Sequence, residues 1–292
     1  MSARPDRRAW ALLLPTWLVL GIFFLAPLAL TLVLSFRQRG VYGGLEPVRD
    51  LGGYITSGAF LGNYARSYLG IGWRSLWMAL LTTVLTLAIG YPVAYALALC
   101  VPPRRKDLLL GLVIVPFWTS FLIRTYAWMF LLRTEGLVNH VLLGAGLVDR
   151  PLEILYNQLA VMIGLVYGER PFMILPLYAS LEKLDRTLLE AAADLGAGRA
   201  SAFWRVTVPL TAPGIAAGIV LVFIPSLGQF VVSDLLGGAR SMLLGNLIQN
   251  QFAVARNHPF GAALAFELMA AVLLLLLAYA LYIKRKGEEV RL

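Results

Sequence analysis

Apolar positions along this chain gather into long unbroken runs instead of the one-sided stripes of a soluble helix. Segments 10–34, 75–100, 108–132, 159–181, 212–236 and 260–283 each hold about 20 or more mostly apolar residues, enough for a helix to cross the hydrocarbon core of a bilayer. The pattern predicts an all-α integral membrane protein, a single transmembrane domain over residues 1–292 with six spans. Arg4, Arg7 and Arg8 precede the first run as they would in a signal peptide. That run is too long for one and shows no small-residue cleavage pattern, so a retained first span is expected. Between the first two spans, 37–72 holds Gly43-Gly44, Gly52-Gly53 and several aromatics, and reads as an outer cap of turns and short helices.

Composition supports the membrane assignment: 59% of residues are apolar and 14% charged, against roughly half and a quarter in soluble domains. The net charge of +9 would point to nucleic acid if the basic residues formed a patch. They sit instead at the edges of the apolar runs, which makes lipid the partner and leaves no case for nucleic acid. Short connections on one side carry Arg4, Arg7, Arg8, Arg104, Arg105, Lys106, Lys183, Arg186, Arg199, Arg205, Lys284, Arg285, Lys286 and Arg291. Longer loops on the other side are poorer in basic residues. The positive-inside rule then places both termini in the cytoplasm, as an even number of spans also requires. A multi-pass membrane location follows. The single cysteine, Cys100, excludes an intrachain disulfide and reads as a small buried hydrophobe.

Several chemistries are missing. No glycine-rich phosphate loop precedes a Lys-Ser or Lys-Thr pair, so the chain is not expected to hydrolyse ATP or bind a cofactor itself. His140 and His258 fall in predicted outer loops far apart in sequence, with no Cys/His cluster to hold a metal. No nucleophile stands at motif spacing from a base, which leaves a membrane enzyme unsupported.

The connection 182–211 differs from the other links. It is the longest on its side and sets four acidic residues, Glu182, Asp185, Glu190 and Asp194, against four basic ones. The stretch 187–195 is a strong helix former with Leu188, Ala192 and Leu195 on one face. Thr187 and Glu190 fit a capping box, and Gly196 suits the left-handed residue that ends a helix. A second helix is expected over 200–206, with Phe203 and Trp204, stopped by Pro209. The result is a helix–Gly–helix hairpin whose small Ala191 and Ala192 permit close approach to a partner groove; on pattern alone, an amphipathic loop lying on the lipid surface competes with it.

Glu190-Ala191-Ala192, then Gly196, then Val206-Thr-Val208-Pro209, resembles the EAA motif of binding-protein-dependent importer permeases. The resemblance implies a type I importer permease fold, with this hairpin between helices 4 and 5 as the coupling helix that fits a cleft on an ATPase. Glu190, Ala191, Ala192 and Gly196 would contact the ATPase, and Val206 and Pro209 would hold the hairpin against the fifth span. ATP and magnesium would belong to that ATPase dimer. Further partners implied are a second permease forming a heterodimer and an extracytoplasmic solute-binding protein. Segments 116–128, 171–185 and 224–230, with Leu235-Leu-Gly-Gly238, resemble the spermidine/putrescine subfamily and imply a polyamine substrate. Two departures concern the substrate path. Gly168-Glu169-Arg170 stands where that subfamily usually has uncharged or aromatic residues, and Gln229 where a glutamate is common. Iron, phosphonates or other organic cations are the alternative cargoes. A gradient-driven secondary transporter is the rival class, though the inverted repeats it would show are absent from the sequence.

Charges inside a span mark lined cavities or internal pairs. Arg124, Glu169, Arg170 and Glu267 lie within predicted spans, and Asp234 near the outer end of the fifth. Adjacent Glu169 and Arg170 point about 100° apart on a helix, so a partner across helices, Arg124 or Glu267, is expected for one of them. Trp118, Tyr126, Trp128 and Tyr178 supply aromatic faces for a cation, and Gln229 a polar one. Pro171, Pro176, Pro225 and Gly228 are expected to interrupt spans four and five.

Overall fold

Backbone N–H and C=O groups find no water in a bilayer, so long apolar runs must satisfy them internally as helices. The computed structural model, which describes residues 7–39, 45–46 and 66–289, is built this way. It divides into two compact units, residues 67–246 and the segments 1–66 with 247–292.

In the second of these units, α1 (Arg7–Leu20) continues through a π-helical turn, Gly21–Leu25, into α2 (Ala26–Ser35). Trp17, Phe23 and Phe24 are exposed along it, as a lipid-facing surface requires. An antiparallel pair follows, β1 (Gln38–Arg39) on β2 (Leu45–Glu46), with Gln38 opposite Glu46. The predicted outer cap of turns and short helices therefore opens with a strand pair. Residues 40–44 and 47–65 of that cap, like Arg4 and Arg291, lie outside the described residues.

Residues 67–246 contain α3 (Arg66–Tyr95) ending in a π turn to Cys100, α4 (Pro103–Ile114), α5 (Phe121–Leu132), α6 (Leu137–Gly144) and α7 (Gln158–Glu182). The hairpin elements α8 (Thr187–Asp194), α9 (Arg199–Ala202) and α10 (Val208–Leu210) come next, then α11 (Ala212–Gly228). Helix α12 (Leu244–Ala253) and the long α13 (His258–Glu289) complete the chain, and α13 packs on α2.

Helices at Leu14–Ser35, Leu69–Cys100, Gln158–Glu182 and His258–Leu281 are long and apolar enough to cross a membrane. Two bent pairs, Pro103–Trp118 with Phe121–Gly144 at 89° and Arg199–Leu210 with Ala212–Gly228 at 67°, raise the number to six if each is one span. Predicted span 108–132 is thus not one helix. Pro116 sits in a 3-10 turn, Val115–Trp118, and Thr119 and Ser120 are extended. The Pro116 carbonyl, freed from the helix, accepts from Thr119 Oγ1 at 2.7 Å and from Arg124 Nη1 at 3.0 Å. Predicted span 212–236 also breaks, at Gln229, whose Oε1 caps the next helical turn by accepting from the Phe230 and Val231 N–H groups at 3.1 and 3.3 Å. Conversely, Pro171 and Pro176 do not interrupt α7, which runs unbroken for 25 residues.

That continuity comes from packing. Helix α7 lies against α11, and a Cβ added at Gly218 would stand 2.6 Å from Met173 Sδ, closer than any ordinary contact. Glycine at this point lets the two backbones meet. The core on this side joins Met173, Ile174, Leu177 and Leu181 of α7 to Tyr91, Ala94 and Ala98 and to Val222. A second cluster joins Met78, Leu132, Val161, Leu165 and Leu236. Cys100 is exposed, contrary to the expectation of burial, because it ends its helix where no neighbour covers it. His140 lies within a helix instead of a loop, and no metal-holding group of side chains occurs among the described residues.

Candidate functional site

The segment from Glu182 to Thr211 folds as the expected helix–Gly–helix hairpin, with a different start. The capping box does not form: Arg186 is the N-cap residue and its side chain caps nothing. Asp185 does this work from one position earlier, its Oδ1 accepting from the Thr187 N–H at 3.0 Å. A carboxylate two residues upstream reaches the free amide without the turn Thr187 would need. The hydrogen bonds from Thr187 hold the Asp185 carboxyl below its ordinary value. Glu190 is left exposed on the outer face.

At the other end of α8, Gly196 takes φ +83°. Its N–H donates to the Ala193 carbonyl and that of Ala197 to the Ala192 carbonyl, both at 2.9 Å. This double bond pattern satisfies the last carbonyls and turns the chain back. The apolar face is uncovered: Leu195 is 88% exposed, and Leu188 and Trp204 are exposed as well.

The return arm corrects the expectation that Pro209 stops it. Arg199–Ala202, a π turn at Phe203–Thr207, and Val208–Leu210 form one continuous run. Val208 N–H donates to the Phe203 carbonyl five residues back, and this wider turn leaves room for the Pro209 ring. Phe203 meets the edges or faces of Tyr91 and Tyr95 with centroids 5.5 and 5.9 Å away. Arg186 Nη2 donates to the Leu99 carbonyl at 3.1 Å. Both arms are thus fastened to α3 and its π turn. Tyr91, Tyr95 and Thr211 carry no motif, and Phe203 and Arg186 are legible in sequence as hairpin residues but not as fastenings; the aromatic i, i+4 pair Tyr91/Tyr95 is the signal that points to them. Beside the hairpin, a 600 Å³ groove is lined by Ser180, Lys183, Asp185, Leu188, Leu210 and Pro213, among others.

Tyr178, expected in the path, belongs to this end: it is buried and donates to Glu182 Oε1 at 2.6 Å, and Lys106 Nζ lies 3.8 Å from the same carboxylate oxygen.

The intramembrane residues separate into groups. Arg124 donates to the Pro116 carbonyl and stacks on the Phe117 ring, 4.3 Å to the centroid, both within the broken third span. Arg170 stacks on Tyr167 at 4.4 Å, and Tyr167 meets Trp128 edge-on at 5.2 Å. Tyr167 and Arg170 face two cavities of 280 and 240 Å³, the first with Trp128, the second with Phe117 and Pro171. Tyr167 and Phe117 are the members of this set that sequence reasoning missed. Glu169 is 7% exposed, and its Oε2 has no hydrogen-bond partner. No salt bridge joins it to Arg124 or Arg170 among the described residues. The expected interhelical lock is therefore not made.

Trp118 is 83% exposed and Tyr126 is exposed, and neither lines the two cavities. Gln229 is the cap already described, and Asp234 accepts from Asn246 Nδ2 at 2.5 Å. Glu267 is half-buried on α13 in the other unit. Toward the opposite end of the span bundle from the hairpin, an 810 Å³ open cavity is lined by Arg133, Glu135, Glu153 and Tyr156.

A bundle of broken and unbroken spans with a fastened helical hairpin before its fifth span is the fold of an importer permease. Two solved structures share it. One is a bacterial ABC transporter involved in the import of the acidic polysaccharide alginate (TM-score 0.76, 18% identity, 96% of both chains covered). The other is that type of alginate transporter in complex with an alginate pentasaccharide-bound periplasmic protein (TM-score 0.74, 18% identity, 93% of this chain and 92% of that one). At this identity the likeness is one of fold. Residues 90–287 match the model of the binding-protein-dependent transport system inner membrane component, and the chain belongs to that family. It is a multi-pass inner-membrane subunit of an ABC importer, a transport component and not an enzyme.

Among relatives, the spermidine/putrescine transport system permease protein PotB of Salmonella typhimurium (strain SL1344) is 45% identical over 267 residues, 90% of this chain and 88% of its own. PotB of Escherichia coli (strain K12) is likewise 45% identical, over 92% of its length. The inner membrane ABC transporter permease protein YdcU of the same organism is 34% identical over 73% of this chain and 70% of its own.

Proposed function

We propose that this subunit carries polyamines across the inner membrane, driven by a separate ATPase that docks on the hairpin from Asp185 to Leu210. The polyamine assignment rests on the likeness, along nearly the whole chain, to permeases of spermidine and putrescine. The docking assignment rests on the exposed Leu188, Leu195 and Trp204, and on Glu190 exposed on another side of α8, on a hairpin whose arms are fastened to α3. Ala191, Ala192 and Gly196 shape the hairpin, and Val206 and Pro209 lie on its return arm. ATP and magnesium belong to the partner. A dimer of ATPases would draw together this hairpin and that of a second, different permease, opening the path toward an extracytoplasmic binding protein; hydrolysis would reset it. Both termini lie in the cytoplasm in this arrangement, as the basic short connections require.

Within residues 67–246, Arg124, Trp128, Glu169, Arg170, Gln229 and Asp234 are the residues of the path that remain once Tyr178, Trp118 and Tyr126 are set aside. Aromatic faces already occupied by guanidinium groups, Phe117 and Tyr167, are surfaces on which a polyammonium chain can bind by the same cation–π attraction.

The test is uptake of labelled putrescine and spermidine by liposomes holding the complete transporter with its binding protein and internal ATP. ATP-dependent accumulation of either supports the reading. Accumulation of iron, a phosphonate or another organic cation in their place overturns the polyamine assignment. Uptake by this chain alone, without ATP, overturns the importer mechanism.

A further inference from the structure

The seam between α7 and α11 contains two buried polar atoms left without a partner, Glu169 Oε2 and Ser226 Oγ. Their place follows from helix geometry. The helices run antiparallel, Gly214 meeting Pro176 and Ser180, and Gly218 meeting Met173. Glu169 is four residues from Met173 and therefore on the same face, one turn further along. On α11 the matching turn holds the buried Val222, and Ser226 follows one turn beyond it.

A carboxylate oxygen and a hydroxyl are acceptors for a group with several N–H donors, and a primary ammonium has three. An unpaired carboxylate inside a membrane span is costly enough that a role is the default expectation. The two arginines within predicted spans do not fill the need. Arg170 is turned onto Tyr167, and Arg124 is held by the Pro116 carbonyl and the Phe117 ring.

We infer that Glu169 is the transit counter-ion of the imported cation: a primary ammonium group of the substrate takes its free oxygen, with Ser226 as a further acceptor. Arg124 stays on the Pro116 carbonyl and the Phe117 ring and leaves this oxygen free. The inference rests on the polyamine reading above.

The experiment uses the complete transporter in liposomes, with putrescine and spermidine as probes, and variants Glu169→Gln, Glu169→Asp and Ser226→Ala. Losing a charge-assisted contact made during passage should lower the maximal uptake rate of Glu169→Gln roughly tenfold or more. The apparent KM, set by capture on the binding protein, should hardly move. ATP hydrolysis stimulated by the loaded binding protein should persist, Glu169→Asp should recover part of the rate, and Ser226→Ala should lose less than Glu169→Gln. Wild-type uptake rates in Glu169→Gln overturn the inference. So does failure of Glu169→Gln to assemble with its partners, because the carboxylate would then serve the fold. Wild-type liposomes that accumulate neither polyamine overturn the substrate reading instead, which separates the two failures.

Discussion

The Tyr91 hydroxyl lies 2.9 Å from Thr211 Oγ1, joining α3 to the joint where the hairpin's return arm bends by 67° into α11. Thr211 Oγ1 also donates to the Thr207 carbonyl at 2.8 Å, so the joint is held from both sides. A motion imposed on the hairpin therefore reaches α3 and α11 together. Replacing Tyr91 by Phe removes that link, worth about 1 kcal/mol if it behaves as an ordinary hydrogen bond. The expected outcome is near-normal assembly with fewer molecules imported per ATP hydrolysed, read by measuring uptake and phosphate release in the same vesicles.

Phe203 carries the second fastening. Its ring touches Tyr91 and Tyr95, and each aromatic pair is worth roughly 0.5–1.5 kcal/mol beyond buried area. Phe203→Leu should lower the thermal midpoint of the purified subunit and uncouple hydrolysis from uptake in the same direction as Tyr91→Phe. The double variant should lose less than the sum of the two, since both fastenings hold the same return arm at Tyr91.

Asp185 makes the start of α8 sensitive to acid in a defined window. Its carboxyl is held below the usual aspartate value by the Thr187 hydrogen bonds, so its contribution is present above the unfolded value and lost as pH falls through the lower folded one. Amide exchange at residues 187–189, corrected for its intrinsic pH dependence, should stay protected from neutral pH down to about 5, well above the ordinary aspartate pKa. Asp185→Asn should raise exchange there severalfold at all of these values.

Gly218 sets the closest approach of α11 to Met173. A leucine there cannot fit without separating α7 from α11, an overpacking that costs about 1–3 kcal/mol or more. Gly218→Leu should reduce the yield of folded subunit and lower its melting temperature, whereas Gly228→Ala, with open space around its Cβ, should not.

Length and polarity made the spans legible, because a bilayer imposes the same demand on every crossing segment. Breaks were legible only in part. Proline was a poor guide: α7 tolerates Pro171 and Pro176 because α11 supports it, while the third span breaks after Pro116, where Thr119 and Arg124 take over its carbonyl. The hairpin was visible from its motif and from Gly196, whose φ of +83° sequence reasoning had anticipated. Its fastenings were not, since Tyr91 and Thr211 are 120 residues apart and no local pattern links them. Glu169 is legible as a charge in a span, but its lack of a partner depends on Arg124 being held by Pro116 and Phe117, contacts that exist only because the third span breaks between them.

Docking of the ATPase on the exposed face of α8 is the central claim, and co-purification tests it most directly. The complete transporter would be extracted in mild detergent with a tag on this subunit, as wild type, as Glu190→Arg, and as Glu153→Arg for a charge reversal outside the hairpin. The predicted result is that wild type and Glu153→Arg retain the ATPase while Glu190→Arg loses most of it and ceases to import. Glu190→Arg that retains the ATPase and imports at the wild-type rate would contradict the account.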